Sequence, residues 1–280
     1  MVVGLIGVGL IGGSMALKLK SKNTSIKICG TDNSTNHLNE ALALGIIDEA
    51  DDLENTVKKA DLIIIAIPVD ATQKILPNVL DLLDQHQTVM DTGSTKLGIV
   101  NAIKNHENRN RFVASHPMWG TENSGPKSAQ LDSFSGRVAV LCDAEDSAKD
   151  AVEKVSEVYQ LLEMNLVEMT SEQHDIHTAY ISHISHITSY ALANTVLEKE
   201  KEEDTIFQLA SSGFSSTVRL AKSHPEMWVP IFKQNKENVL DVLNEHISQL
   251  RKFKAALEKE NYDFLEELIK NANRIRGILK

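Results

Sequence analysis

The chain has 280 residues, 42% of them hydrophobic, with 39 acidic and 29 basic side chains and a formal net charge of -10. Its length allows a substantial core and about two domains of ~100–150 residues, and its acidic balance argues against a nonspecific nucleic-acid surface, so an anionic ligand has to meet locally placed Lys, Arg or His. Cys29 and Cys142 are too few and too far apart for a disulfide framework or a thiolate metal cluster; with no basic leader and no apolar run of membrane length, the expectation is buried free thiols in a reducing cytoplasm.

The apolar run Val2, Val3, Gly4, Leu5 and Ile6 reads as a strand leading straight into Gly7, Val8, Gly9, Leu10, Ile11 and Gly12. A Gly-x-Gly-x-x-Gly turn between strand and helix is a dinucleotide cradle. The first glycine allows the turn, the second lets a pyrophosphate approach the backbone, and the third lets helix pack on strand while free N–H groups face the phosphates. Residues 14–20 follow as a helix and 26–29 as a second strand. Asp32 stands 20 residues after Gly12, where a carboxylate accepts hydrogen bonds from an adenosine ribose and repels a 2'-phosphate. This favours NAD over NADP; a solvent-facing turn aspartate is the alternative.

Helices are expected at 36–44, closed by Gly45, and at 53–60. Leu62, Ile63, Ile64, Ile65, Ala66 and Ile67 form an uninterrupted apolar strand suited to a parallel sheet covered on both faces, and Pro68 stops it. A helix at 71–83 and a strand at 88–91 lead to Asp91, Thr92, Gly93, Ser94, Thr95 and Lys96, a polar cluster at a strand's carboxyl end, where open α/β sheets bind ligands. Ser94 either orients a bound hydroxyl or caps the helix expected at 96–103, and the cap is the plainer reading of the sequence.

The strand at 112–115 delivers His116, followed by Pro117, Met118, Trp119, Gly120, Thr121 and Glu122. Such a histidine is either a proton acceptor near neutral pH or a turn residue bonded to backbone. A loop at 123–134, a strand at 137–142, a helix at 144–162 and a strand at 165–169 complete the alternation, which ends near Thr170. The expected fold is therefore α/β, with a Rossmann-like nucleotide-binding domain over 1–170 and an all-helical domain over 171–280.

In the second part, the helix expected at 172–197 repeats Ile176, Tyr180, His183, Ile187 and Tyr190 at three- and four-residue spacings on one stripe, with His186 on the adjoining face. The pairs His174 with His177 and His183 with His186 have neither a His-Glu-x-x-His motif nor nearby cysteines to complete a zinc site, so no metal is expected. His183 is either a pocket residue or a packed, hydrogen-bonded one. A polar break at 211–217 precedes Arg219, whose fork of donors suits a carboxylate if it faces a pocket rather than solvent. Pro225 fits the first turn of a helix and Trp228 fits apolar packing. Helices at 226–257 and 262–279 close the chain, with Leu240, Leu243, Ile247 and Leu250 available to bury against the first long helix or a second copy of the chain.

Taken in order, Gly7-Val8-Gly9-Leu10-Ile11-Gly12-Gly13-Ser14, the run from Asp91 to Lys96, the run from His116 to Glu122, Ser182-His183-Ile184-Ser185-His186, Gly213-Phe214, Arg219-Leu220-Ala221-Lys222 and Pro225-Glu226-Met227-Trp228 resemble the prephenate and arogenate dehydrogenase family of tyrosine biosynthesis. The resemblance covers nearly the whole chain. It implies an NAD(P)-linked oxidative decarboxylation of a cyclohexadienyl substrate, with the helical domain contributing to the pocket and to a homodimer. It also implies that His116 accepts the ring hydroxyl's proton while hydride leaves the same carbon for nicotinamide. Ser94 would orient His116 and that hydroxyl, His183 would be a pocket histidine, Arg219 would engage a substrate carboxylate, and Glu122 and Lys96 would be further polar groups of the site.

Oxidation of prephenate to 4-hydroxyphenylpyruvate with NAD is the expected reaction. The alternatives are an arogenate dehydrogenase forming tyrosine, a 3-hydroxyacid-type dehydrogenase, and a noncatalytic dinucleotide-binding interaction protein. Many relatives carry an acidic and an aromatic residue before the arginine, where this chain has Ser215, Ser216, Thr217 and Val218, which leaves open how Arg219 is held. Because the chain ends soon after the helical stretch, regulation through a separate C-terminal module is not expected, and competition by tyrosine at the active site is left open.

Overall fold

Four consecutive aliphatic residues, Leu62–Ile65, are all buried because the strand they form lies between two parallel neighbours and is covered on both faces. In the computed structural model, which describes residues 1–201 and 205–278, this strand is β4 of an eight-stranded sheet. The others are β1 (Val2–Ile6), β2 (Lys27–Thr31), β3 (Glu49–Ala50), β5 (Thr88–Asp91), β6 (Phe112–Pro117), β7 (Val138–Cys142) and β8 (Asn165–Met169). The order is β3-β2-β1-β4-β5-β6-β7-β8, parallel throughout except between β6 and β7, which run antiparallel with His116 opposite Val140. The two-residue β3 was not expected; it is too short and too polar to carry an alternating pattern.

Side chains alternate between two cores, as the pleat requires. Leu62 and Ile64 join Met15 and Leu19 of α1 (Leu10–Lys22), Ala41 of α2 (Thr35–Ala43) and Val155 and Tyr159 of α6 (Lys149–Leu161). Ile63 and Ile65 join Val57 of α3 (Leu53–Lys59), Leu76 and Val79 of α4 (Val69–Asp81) and Ile99 of α5 (Leu97–Ala102). Local chemistry sets the helix starts: Ser34 Oγ accepts from His37 N and Asp52 Oδ1 from Asn55 N. The helix expected at 144–162 is interrupted, because Asp143 adopts a left-handed φ of 48° and a 3-10 turn over Ala144–Asp146 precedes α6.

The Rossmann-like domain gives way to helices directly after β8. A capping box of Thr170 and Gln173 opens α7 (Ser171–Thr178), a π turn spans Ala179–His183, and α8 (Ile184–Glu200) continues. The expected stripe is corrected here. Ile176 and Tyr180 are 43% and 47% exposed, while Ser171, His174, Asp175, Thr178, His183, His186 and Ser189 are buried. Of the stripe, His183 is buried and Ile187 and Tyr190 are half-buried, so the buried positions are mostly polar and only the later part of the stripe turns inward.

The expected polar break is a short helix, α9 (Ser212–Thr217), and the expected helix at 226–257 is two, α10 (Pro225–Gln234) and α11 (Lys236–Glu258), separated by the buried Asn235. Trp228 and Ile231 of α10 join the second core and tie the helical domain to the α/β domain. On α11 the buried face carries Val239 and Val242, leaving Leu240 and Leu250 exposed. The last helix, α12, covers Tyr262–Ala272 and gives way to a 3-10 turn over Asn273–Gly277, short of the expected end at 279, which itself lies outside the described residues. Among the described residues no helix is long and apolar enough to cross a membrane.

Candidate active site

The glycine turn joins β1 to α1. Gly7 has a φ of +94° and lies so close to β4 that a Cβ would stand 2.4 Å from the Ala66 carbonyl oxygen; a Cβ on Gly12 would stand 2.2 Å from the Gly7 carbonyl oxygen. Both contacts demand glycine. Gly9 differs, since its missing Cβ would meet nothing within 4 Å and the face is open to a ligand. Gly9 is also the N-cap of α1 and supplies no side-chain cap, so the first N–H groups of α1, those of Leu10 and Ile11 included, are available to an anion. Asp32, just beyond β2, accepts from Val8 N at 3.1 Å and Ser34 N at 2.8 Å. It braces the turn and retains lone pairs on both oxygens. These features fit a dinucleotide.

The sheet's parallel core brings β1, β4, β5 and β6 to the same edge, and His116 stands there as the penultimate residue of β6. Beneath it lies a buried network. Asp91, the last residue of β5, pairs with Lys96 Nζ and accepts from Ser115 N at 3.1 Å and Gly93 N at 2.9 Å. Lys96 Nζ also donates to the Ser115 carbonyl at 2.7 Å, and Tyr159 donates to Ser115 Oγ at 2.8 Å. Lys96 is fully buried, and this corrects its expected place among the groups that face substrate: its ammonium holds the ends of β5 and β6 together.

His116 Nδ1 lies 2.9 Å from His174 Nε2, and His174 Nδ1 lies 2.8 Å from Asp175 Oδ1. Asp175 Oδ1 and Oδ2 in turn accept from the backbone N–H groups of Lys96 and Leu97, at 2.8 and 3.0 Å. The first turn of α5 is thus capped by the helical domain, and the simpler reading of Ser94 as the cap falls. Ser94 is half-buried, and among the described residues its hydroxyl has no hydrogen-bond partner.

Burial is the largest cause holding His116 well below the usual imidazole range, with the Lys96 ammonium adding to it, so it is neutral at pH 7. Burial likewise lowers His174, against the raising effect of the Asp175 carboxylate. His183, expected as a pocket histidine, is sealed inside the helical domain: Asn235 Nδ2 donates to its Nδ1 at 3.2 Å, Trp228 and Phe232 meet it edge-on, and burial pushes it down to about 4. The adjoining His186 stacks on Trp228 with centroids 3.4 Å apart, and its Nδ1–H donates to the Ser182 carbonyl. Burial lowers its pKa against the raising effect of the Ser182 hydrogen bond, and the charge of Arg219 lowers it further.

Arg219 follows α9 and reaches across the domains to Glu122, Nη1 to Oε2 at 3.1 Å, with half of its side chain exposed. Ser216 turns its hydroxyl back to the Gly213 carbonyl at 2.9 Å. Arg219 is held by Glu122 of the loop after His116, from the other domain. His174, Asp175 and Asn235 were not singled out as site residues by the sequence, because only tertiary structure brings His174 to His116 and Asn235 to Asp175.

Residues 15–168 match the family described as prephenate dehydrogenase, nucleotide-binding domain, and residues 170–271 match prephenate dehydrogenase, dimerization domain. The glycine turn precedes the matched span, so its assignment rests on geometry. A prephenate dehydrogenase of Bacillus subtilis is 34% identical over 97% of this chain and 74% of its own length. A cyclohexadienyl dehydrogenase of Zymomonas mobilis is 29% identical over 99% of this chain and 96% of its own. Among solved structures, prephenate dehydrogenase from Aquifex aeolicus in complex with hydroxyphenyl propionate and NAD+ has a TM-score of 0.91 at 30% identity, covering 100% of this chain and 98% of that one. With both of its domains matched, the chain belongs to the prephenate and arogenate dehydrogenase family.

Proposed function

We propose that the chain is an NAD-dependent prephenate dehydrogenase that oxidises and decarboxylates prephenate to 4-hydroxyphenylpyruvate. The observation that carries this reading is a neutral His116 at the same sheet edge as the open glycine cradle. Residues 1–170 hold the dinucleotide, and residues 171–280 complete the substrate site. When bound, NAD supplies the hydride acceptor. Asp32 selects it over NADP by accepting from the ribose diol and repelling a 2'-phosphate.

His116 takes the proton of the ring hydroxyl as hydride leaves the same carbon. The bond to the ring carboxylate then breaks, carbon dioxide departs, and the electron pair aromatises the ring; the proton returns to the new phenolic oxygen. A well-placed base of this kind contributes about 10²–10⁴-fold. Ser94, with an unengaged hydroxyl, orients the substrate hydroxyl, and Arg219 exchanges Glu122 for a substrate carboxylate.

The active form is a cytoplasmic homodimer. Support for the dimer comes from the second family match and from the apolar side chains Ile176, Tyr180, Ile181, Leu240 and Leu250, all more than 40% exposed on the helical domain. Arogenate is the second substrate to test, because a cyclohexadienyl dehydrogenase is among the relatives. The purified protein, assayed with each substrate and with NAD and NADP, should reduce NAD in step with aromatic product, fastest with prephenate. His116→Asn should lose about 10²–10⁴-fold in kcat with NAD affinity unchanged. Absence of turnover in all four combinations would overturn the reading.

A further inference from the structure

We infer that Asp175 and His174 are positioning residues that fix the tautomer of His116, so that the helical domain makes the base competent. The assignment rests on the proposed role of His116 and deepens it. Both residues belong to α7, whereas His116 belongs to β6 of the other domain.

The argument is one of donors and acceptors. Each Asp175 oxygen already accepts a backbone N–H from the start of α5. An ionised carboxylate only accepts, so His174 Nδ1 carries the hydrogen that bridges the 2.8 Å to Asp175 Oδ1. His174 is buried and neutral, which leaves a lone pair on its Nε2. That lone pair, 2.9 Å from His116 Nδ1, requires a hydrogen on Nδ1 of His116. Neutral His116 then has its lone pair on Nε2, which has no hydrogen-bond partner among the described residues. In the other tautomer two lone pairs would oppose each other at that distance, a buried contact without a hydrogen bond.

The direction of the chain is thus set from Asp175 outward. Asp175 is itself tied down, because Asn235 Nδ2 donates to its carbonyl at 2.6 Å. The charged and titratable groups around the two imidazoles are Lys96 before α5, Asp91 at the end of β5, His183 on the π turn and Asp175 on α7. Of the two carboxylates, Asp91 is paired with Lys96, leaving Asp175 as the anion that answers a positive charge developing on His116.

Nitrogen-15 spectra of histidine-labelled protein, free of substrate and cofactor, read the tautomer directly. The wild type should hold His116 with hydrogen on Nδ1, and the Nε2–H tautomer as the major form would overturn the proposal. Asp175→Asn removes the anion and should reduce kcat about 10²–10⁴-fold, with the KM for NAD within about twofold, while moving the acidic limb of the kcat profile to lower pH. His174→Gln presents an amide oxygen to His116 Nδ1 and should retain at least tenfold more kcat than His174→Leu. A fall in kcat with an unmoved acidic limb, or equal losses in the Gln and Leu variants, would reduce the pair to a structural contact. If Asp175→Asn fails to fold, the wild-type tautomer and the His174 pair decide the matter. A wild type that turns over neither substrate would remove the proposed reaction, and its tautomer would still test the relay.

Discussion

Two ion pairs separate the part of the site that is built from the part that is offered. Lys96 and Asp91 form a pair with no exposure on either side chain, and every neighbour is a strand end or the turn beyond it. Arg219 and Glu122 form a pair 52% and 25% exposed, bridging two domains. Buried charges without each other would be costly to keep, so the first pair holds geometry. Exposed charges cost little to separate, so the second is free to change partner. The same chemical contact therefore braces His116 in one place and leaves a carboxylate receptor in the other.

Breaking the buried pair should have the largest effect. Lys96→Met leaves the Asp91 carboxylate buried and alone, and urea unfolding should report a loss of about 3–5 kcal/mol. A loss below about 1 kcal/mol would mean that water reaches Asp91 and that the contrast between the pairs is false. Acid should next distinguish the two regions. His116, His174, His183 and His186 are all held below their usual range, with burial the largest cause. In the unfolded chain they bind protons as pH falls through about 6.5. The folded protein does so later, with His183 at about 4. Stability is therefore fully present above the unfolded value and is lost as pH falls from there toward the folded values. A thermal midpoint that stays flat from pH 7 to pH 4.5 would show these imidazoles to be solvated.

The exposed pair should respond in binding. Arg219→Ala is expected to raise the substrate KM about 10–100-fold, the worth of a hydrogen bond to a charged group, and to leave stability within about 0.5 kcal/mol. An unchanged KM would put the arginine outside the carboxylate site. The smallest effect belongs to Glu122→Gln, with the urea midpoint unmoved and a KM that stays level or falls as Arg219 is released. A tenfold rise in KM would instead make Glu122 a ligand of the substrate.

What could be read from the sequence divides along the same line. The run from Gly7 to Gly12 was legible because strand, turn and helix are contiguous, and the close contacts of Gly7 and Gly12 are requirements of that local path. His116 was legible as a polar residue at a strand end. Lys96 was legible as part of a motif and misread in orientation, since its ion partner Asp91 sits five residues earlier and both turn inward. His183 was drawn into the site by an apolar stripe of which Ile176 and Tyr180 face outward and Ile187 and Tyr190 are half-buried. His174 and Asp175 carried no signal of their role, because a relay across two domains leaves no spacing in the chain.

The single antiparallel pairing in the sheet, between β6 and β7, has a consequence for how the domains meet. Since β8 runs parallel to β7, the chain leaves the sheet at the edge opposite His116. Helix α7 must then climb back alongside α5, at about 1.5 Å per residue, before His174 and Asp175 reach the level of the base. One reversed pairing thus starts the second domain at the end of the sheet away from His116 and obliges α7 to return along α5 to reach the base.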